Sequence, residues 1–486
     1  MSGEFALFRA PEGINGQSRR FREDFSPPGT EPGYIADRTV SGHSPTPLVR
    51  ERVSRNPPAE SLTHQAGPGK FAVDYGFIAR RFHSLNDGPF RGDTRSPMTD
   101  HAKSQPPETP QSARIASLLL NILILAALLY VFLFSIALFG AAFKLVGKEF
   151  SQHLIATTTN PVVGLMIGLL ATSLIQSSSS TTSIVVGMVS GGALTVTGAI
   201  PIIMGANMGT TVTNTLVAMT SMNRRTEFQR AFAGATMHDF FNLMAIAILF
   251  PLEQATHFLE KSATWLSGQL VGTAGAEFPN PIKTATKPVV HFVQDLLTGG
   301  LDLSKGLATA IMVVVALAGI FFALTFLTKV LKSVILGKAE GVFTKRLSGG
   351  WFGAMSMGLL ITVGVQSSSI TTSLMVPLIG AGIVPLETAF AATLGANIGT
   401  TITALLASLT GTPQAVTVAL VHLFFNISGI LIIYPVKAIR NIPLRLARGL
   451  AHKTADKKYY AFLYMIGIFF IMPLVFVMID KALRAG

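Results

Sequence analysis

The chain has 486 residues and no cysteine, and charged residues make up only 13% of it. The absence of cysteine excludes disulfide bonds and metal sites built from thiolates. So few charges, combined with 49% hydrophobic residues and a mean hydropathy of +0.50, are typical of a protein that crosses a membrane several times, and not of a soluble domain.

Signatures of catalysis are missing as well. No lysine stands in a Gly-rich phosphate loop of the Walker type, and no nucleophile has a base at a recognisable spacing. The short Gly-rich runs at 190–192 and 380–382 are more typical of hairpin turns or close helix packing. We therefore expect the chain not to be an enzyme and to need no cofactor.

Long apolar runs, in contrast, are abundant. The runs 115–143 and 459–479 contain no charged residue, and about 20 apolar residues are enough to cross the hydrocarbon core. The sequence therefore predicts an all-α polytopic membrane protein. Its apolar segments are roughly 115–143, 161–190, 199–221, 231–252, 306–328, 351–382, 386–409, 415–436 and 459–480.

The first 113 residues contain no apolar run long enough to span a membrane and are rich in Pro, Gly, Ser and Arg. This composition predicts a disordered tail. The start "MSGEFALFRAPEG" does not match a signal peptide, because a charged segment is not followed by an apolar one. Met98 is an equally acceptable start, in which case 1–97 would not be translated.

The net charge of +13 belongs to the membrane part. Residues 1–113 carry 14 basic and 13 acidic side chains, so nearly all of the excess lies in the short loops between apolar segments. Basic loops face the cytoplasm by the positive-inside rule, which explains the excess better than nucleic-acid binding does. We therefore place the N-terminus and the basic loops 223–230, 329–346 and 437–458 inside, and the connection 253–305 outside.

Two ordered motifs occur twice. The octet "QSSSSTTS" at 176–183 returns as "QSSSITTS" at 366–373, and "GANMGTTVTNTLVA" at 205–218 returns as "GANIGTTITALLAS" at 395–408. In each case the second copy begins 190 residues after the first. Self-similarity of this kind predicts two structural repeats.

The predicted loop positions give the two repeats opposite directions in the membrane. Each octet interrupts its apolar segment near the middle, which indicates a re-entrant hairpin of two half-helices. The hairpin 161–190 enters from outside, and the hairpin 351–382 enters from inside. The sequence thus predicts two inverted-topology repeats, each with a re-entrant QSSS hairpin and a broken GAN-x-GTT helix. In secondary transporters built this way, the site lies where the repeats meet.

The predicted organisation has five parts. They are the tail (1–113), the first transmembrane helix with repeat 1 (114–252), an extracytoplasmic connection (253–305), repeat 2 with its leading helix (306–436), and a basic cytoplasmic loop with the last transmembrane helix (437–486).

The repeated motifs place polar groups where hydrocarbon offers them no partner. A helix that restarts after a break presents free N–H groups and its positive dipole end, which attract an anion without Lys or Arg. Carbonyl, hydroxyl and amide oxygens can ligate Na⁺, whereas the lack of carboxylates in both motifs disfavours Ca²⁺ and Mg²⁺. A single Ser-rich run would more simply serve helix packing, but two inverted copies favour a site.

A third pair of motifs contains the histidines within apolar segments. "HDFFN" at 238–242 returns as "HLFFN" at 422–426, so each histidine has an asparagine four residues later on the same helical face. We expect these pairs to bond between helices near the site, and not to ligate an ion. Asp239 has no counterpart, because Leu423 stands at the equivalent position.

At these residues the chain resembles the phosphate:sodium symporter family, the type II sodium–phosphate cotransporters, and we expect it to be a bacterial member. The resemblance runs from about 160 to 436 and rests on the paired motifs and on "RTEFQRAFAGATMHDFFN" at 225–242. It implies uptake of inorganic phosphate by alternating access across the inner (plasma) membrane, with Na⁺ as the coupling ion.

The resemblance also implies site residues and partners. The residues expected to bind phosphate are Ser177, Ser178, Ser179, Ser367, Ser368, Ser369 and Thr211. Those expected to bind sodium are Gln176, Asn207, Gln366, Asn397, Thr400 and Thr401. The expected partners are phosphate, Na⁺ and the lipid bilayer, without nucleic acid, and the sequence does not determine the oligomeric state.

Two alternatives stay open from the sequence. One is a sodium-coupled transporter of another anion, such as sulfate, arsenate or a dicarboxylate. The other is a membrane sensor that binds phosphate without transporting it.

Overall fold

A computed structural model describes residues 111–147, 152, 155, 159–271, 281–347 and 350–485. The predicted tail, 1–113, lies outside these residues except for its last three. Those three already belong to the first helix, which begins at Gln111, and the predicted domain boundary at 113 stays a prediction. Alanine and arginine favour helix, and the helix therefore continues from the apolar run into its polar flank.

The described residues form helices and no strands. In chain order the helices are α1 (Gln111–Val146), α2 (Pro161–Ile175), α3 (Ser178–Gly191), α4 (Val196–Met208), α5 (Val212–Met219), α6 (Arg225–Thr256), α7 (Phe258–Val271), α8 (Pro281–Asp295), α9 (Lys305–Leu347), α10 (Gly350–Val365), α11 (Ser368–Gly380), α12 (Leu386–Ser408), α13 (Pro413–Ile433), α14 (Lys437–Asp456), α15 (Tyr459–Ile466) and α16 (Met472–Ala485).

Among the described residues, six helical stretches are long and apolar enough to cross a membrane, and they match six of the nine predicted apolar segments. The three remaining segments, 161–190, 199–221 and 351–382, are each divided into shorter helices. The prediction of an all-α polytopic membrane protein is confirmed. The six stretches are Ser117–Val146, Arg225–Thr256, Lys305–Lys332, Leu386–Ser408, Pro413–Ile433 and Tyr459–Arg484.

The two octets divide their segments into half-helices, as predicted. α2 and α3 are separated only by Gln176 and Ser177, and α10 and α11 only by Gln366 and Ser367. These four helices have 13 to 16 residues. At 1.5 Å per residue they are roughly 20–24 Å long, which is shorter than the hydrocarbon core of about 30 Å.

The GAN-x-GTT segments differ between the repeats. In repeat 1 the helix tightens into a 3₁₀ turn at Gly209–Thr211, between α4 and α5. In repeat 2, α12 continues as an α-helix through the motif. The prediction of a broken helix is therefore wrong for repeat 2.

Close packing explains why glycine stands in this motif without breaking the helix. A Cβ on Gly205 would clash with the Leu165 carbonyl on α2, and a Cβ on Gly395 would clash with the Met355 carbonyl on α10. Each GAN-x-GTT helix thus packs backbone against backbone on the first half-helix of its own hairpin. The glycines supply room for this approach, which does not require a break.

The connections between spans are also more regular than predicted. The predicted basic loop 437–458 is largely the helix α14, and the connection 253–305 contains α7 and α8. Small and apolar side chains at helical spacing, such as Leu444, Ala447 and Ala451, are buried and hold α14 against the bundle.

The backbone approach at Gly395 predicts a large effect of a small substitution. We expect Gly395→Ala to lower the stability of the purified protein by about 2–3 kcal/mol, because α10 and α12 must separate to admit the methyl group. Thermal unfolding in detergent measures the effect. Gly449→Ala is the matched control, since a Cβ there has no atom within 4 Å and alanine favours helix. Equal unfolding temperatures for the two variants would contradict the packing role.

Candidate functional site

The two QSSS turns have the same backbone geometry. Gln176 and Gln366 lie in the left-handed region, with φ of 60° and 57°. The serines that follow, Ser177 and Ser367, are extended and cap the next helix. Each accepts a backbone N–H from three residues later through its hydroxyl, at 3.2 and 3.4 Å respectively. Each turn therefore ends one helix and starts another within two residues.

The glutamine side chains satisfy groups around the turns. The Nε2 of each donates to the carbonyl three residues earlier, over 2.6 Å in the case of Gln366. The Oε1 of Gln176 accepts the hydroxyl of Thr213 at 2.8 Å, and that of Gln366 accepts the hydroxyl of Thr403 at 2.9 Å. Because an amide oxygen has two lone pairs, each Oε1 retains one that can meet a cation.

Unlike the glutamine side chains, the serines in the first turns of α3 and α11 form no side-chain hydrogen bond through their hydroxyls within the described residues. Ser178, Ser179 and Ser368 are 4%, 6% and 4% exposed, and Ser369 is half-buried. In the part of the chain that the structure describes, none of these four hydroxyls has a hydrogen-bond partner. They stand beside the N–H groups of a helix start, which also lack intrahelical acceptors. Each turn thus gathers donors suited to an anion.

The two repeats interlock around these turns. α3 of repeat 1 packs on α12 of repeat 2, and α11 of repeat 2 packs on α5 of repeat 1. The Thr372 hydroxyl on α11 donates to Asn214 Oδ1 on α5 at 3.0 Å. Among the described residues no hydrogen bond joins the two QSSS turns directly, so the packing of each serine helix on the other repeat brings the two sets together.

The histidines of the third motif bond across the repeats. His238 Nε2 lies 2.6 Å from Asn397 Oδ1, and His422 Nε2 lies 3.0 Å from Asn207 Oδ1. All four side chains are buried. The predicted bonding between helices is confirmed, and each histidine takes its partner from the opposite repeat.

The asparagines four residues after the histidines complete this network. Asn426 Oδ1 accepts from Asn207 Nδ2 at 2.8 Å, and Asn242 Oδ1 accepts from Asn397 Nδ2 at 3.3 Å. Asn242 and Asn426 also donate to the backbone carbonyls of Asn207 and Asn397, at 3.1 and 3.4 Å. The amides of Asn207 and Asn397 thus hold the repeats together, and their role as sodium ligands stays a prediction.

The threonines of the repeat-2 motif give their protons to their own helix. Thr400 donates to the Ala396 carbonyl at 3.0 Å, and Thr401 donates to the Ile398 carbonyl at 2.7 Å. A hydroxyl whose proton is used in this way can offer only lone pairs to a ligand. This arrangement suits a cation.

Asp239 is a residue that the predicted site omits. It is 1% exposed, and it accepts hydrogen bonds from the hydroxyls of Thr211 and Tyr464, the latter at 2.8 Å. Thr211 lies in the 3₁₀ turn of repeat 1, and its hydroxyl also approaches the Met208 carbonyl at 3.1 Å. No Lys, Arg or His within the described ranges forms an ion pair with Asp239. In the sequence, Asp239 is an ionisable residue inside an apolar segment, and this alone marks it as a functional candidate.

Comparison with known proteins points to the same segments. The model of the family described as "Na+/Pi-cotransporter" matches residues 131–267 and 320–449, which contain both copies of all three motifs. These two ranges make up more than half of the chain. No solved structure matches it.

Among similar proteins, the sodium-dependent phosphate transport protein 2A of Ovis aries is 33% identical over 530 aligned residues, covering 92% of this chain and 80% of the relative. The 2A protein of Rattus norvegicus is 35% identical, covering 77% of this chain and 70% of its own length. The 2B protein of Homo sapiens is 35% identical, with coverages of 73% and 64%. The chain belongs to the Na⁺/Pi-cotransporter family.

Proposed function

We propose that the protein is a sodium-coupled symporter of inorganic phosphate, and that phosphate binds at the two QSSS helix starts. The observation that carries the proposal is the pair of serine clusters at the first turns of α3 and α11, three of whose four residues are buried and whose hydroxyls have no partner among the described residues. Membership of the Na⁺/Pi-cotransporter family and the printed names of the relatives support the same substrate and coupling ion.

Phosphate needs many donors around a compact, tetrahedral anion. The serine hydroxyls of each turn and the N–H groups of a helix start supply them, and the positive dipole end of each helix favours the negative charge. Neither octet contains a basic residue. Binding by neutral donors leaves the charge of phosphate uncompensated, which gives Na⁺ a direct role in completing the site.

Sodium is best served by oxygens whose protons are already donated elsewhere. Thr400 and Thr401 meet this condition, and Gln176 and Gln366 each keep a free lone pair on Oε1. Thr211 meets it too, because its single proton is shared between Asp239 and a carbonyl. This hydrogen bond supports moving Thr211 from the phosphate-binding set to the sodium-binding set, with Asp239 supplying the negative charge.

Transport by alternating access requires the two repeats to move relative to each other around a shared site. Contacts at the two ends of the bundle support the predicted grouping of the loops, while the cytoplasmic N-terminus rests on the loop charges. Arg225 and Asp456, which the loop charges place inside, form an ion pair. Thr197 and Glu260, which fall outside in the same scheme, share a hydrogen bond of 2.9 Å. The inner membrane of the cell is the proposed location.

The test of the proposal is uptake of labelled phosphate by liposomes that contain the purified protein. We expect uptake with an inward Na⁺ gradient and none when choline replaces Na⁺. Equal uptake in choline would overturn the coupling, and saturable binding without uptake would indicate a sensor. Suppression by sulfate at the potency of unlabelled phosphate would identify a transporter of wider anion range.

Removing one unused hydroxyl tests the phosphate site. Ser368→Ala should raise the KM for phosphate on the order of tenfold or more, because a hydrogen bond to a charged group is worth about 1.5–3 kcal/mol. Ser373→Ala is a control on the same helix, since its hydroxyl already donates to the Ile370 carbonyl at 3.2 Å. An unchanged KM in Ser368→Ala would remove this hydroxyl from the site.

Neutralising the buried carboxylate tests the sodium assignment. Asp239→Asn should raise the Na⁺ concentration for half-maximal uptake several-fold, while the KM for phosphate at saturating Na⁺ changes less than twofold. The reason is that the substitution removes negative charge behind Thr211 and leaves the serine clusters intact. Asp456→Asn, which removes a carboxylate from an exposed ion pair, serves as the control. A loss of phosphate affinity without any change in Na⁺ dependence would contradict the assignment.

A further inference from the structure

We propose that the exposed face of α14 binds the headgroups of anionic phospholipids in the leaflet beside it. The position of the helix between two spans, its positive charge and the side chains it exposes all suit this ligand.

α14 is held at the membrane surface at both ends. The span Pro413–Ile433 ends three residues before it begins, and the span Tyr459–Arg484 begins two residues after it ends. Its 20 residues are about 30 Å long as a helix, and both ends must stay near the points where the neighbouring spans leave the membrane. The helix therefore stays at the boundary between membrane and water, where its last turns pack along the start of α6 through the Asp456–Arg225 ion pair and the contact of His452 with Gln229. Tyr434 and Tyr459, which flank it, are aromatic residues of the kind found at that depth.

The charge of this segment is strongly positive. Between 437 and 458 the only carboxylate is Asp456, and this side chain already pairs with Arg225 and His452. Of the basic residues only Arg448 forms an ion pair within the described residues, with Glu387. The seven basic residues are Lys437, Arg440, Arg445, Arg448, Lys453, Lys457 and Lys458. Most of this positive charge thus has no protein carboxylate to neutralise it.

The exposed face mixes these charges with apolar side chains. Ile442 and Leu446 are 41% and 45% exposed, and Arg445 and Lys453 are exposed on the same side of the helix. The opposite face is buried against the bundle. Exposed apolar side chains among basic ones are typical of a helix that lies at the boundary between headgroups and acyl chains. Inorganic phosphate would gain nothing from Ile442 and Leu446, whereas a lipid meets both parts of this surface.

The corresponding helix of repeat 1, which the loop charges place on the other side of the membrane, has no such charge. α7 follows α6 as α14 follows α13, and it also exposes large apolar side chains, including Trp265 at 67%. Its charged residues, Glu260 and Lys261, cancel. Only the repeat-2 member of this pair, which the loop charges place on the cytoplasmic side, carries a positive face, and the leaflet on that side is the one that presents anionic headgroups.

The experiment titrates dioctanoyl phosphatidylglycerol onto the full-length protein in phosphatidylcholine nanodiscs and follows the unfolding temperature. We expect saturable stabilisation of the wild type. Arg445→Gln/Lys453→Gln should bind roughly 30-fold more weakly, because each charge near the surface adds about a factor of five in affinity. Lys287→Gln/Lys305→Gln, which removes two exposed charges elsewhere, should stay within twofold of the wild type.

Three results would overturn the proposal. They are equal loss of binding in both double variants, unchanged binding in Arg445→Gln/Lys453→Gln, and displacement of the lipid by inorganic phosphate at equal concentration. The last result would assign the surface to free phosphate. Size-exclusion profiles and circular dichroism establish that the variants are folded. If Arg445→Gln/Lys453→Gln fails to fold, Lys453→Gln alone must lower the affinity about fivefold, and Arg445→Lys must retain it.

Discussion

A helix interrupted inside a membrane-spanning region must find partners for the backbone groups that the interruption releases, since hydrocarbon offers none. Here the requirement is met locally at Gln176 and Gln366, whose side chains donate back to their own helices, and at the serines that cap the next helices. The hydroxyls of the serines one and two residues later have no hydrogen-bond partner among the described residues. Side chains of the turn thus bond to part of the interrupted backbone, and the serine hydroxyls that remain can donate to a ligand.

Helices pack backbone against backbone around these turns. Gly205 and Gly395 allow each GAN-x-GTT helix to lie directly on the first half of its own hairpin, and the second half packs on the other repeat. The Asn–His network then joins the repeats through four buried amides and two imidazoles. The main buried core therefore contains side chains from both repeats.

The differences between the repeats are as informative as their likeness. A carboxylate with two hydroxyl donors stands beside the motif in repeat 1, whereas repeat 2 has Leu423 at that position and a continuous helix. The helices that follow the repeats differ in the same way, because α14 is basic and α7 is neutral. The shared contacts form the scaffold, and the single-copy charges distinguish the two sides of the molecule.

The sequence alone determined the spans, the two repeats and the division of each QSSS segment, because hydropathy and repeated motifs are local properties of the chain. It also predicted that His238 and His422 bond between helices. Only the tertiary structure decided that their partners come from the opposite repeat, and that Tyr464, 225 residues away, donates to Asp239. From the sequence alone, a glycine that interrupts a helix cannot be distinguished from one that allows two helices to pack closely. The choice between these roles at Gly395 depended on the neighbouring backbone of α10, which no local pattern contains.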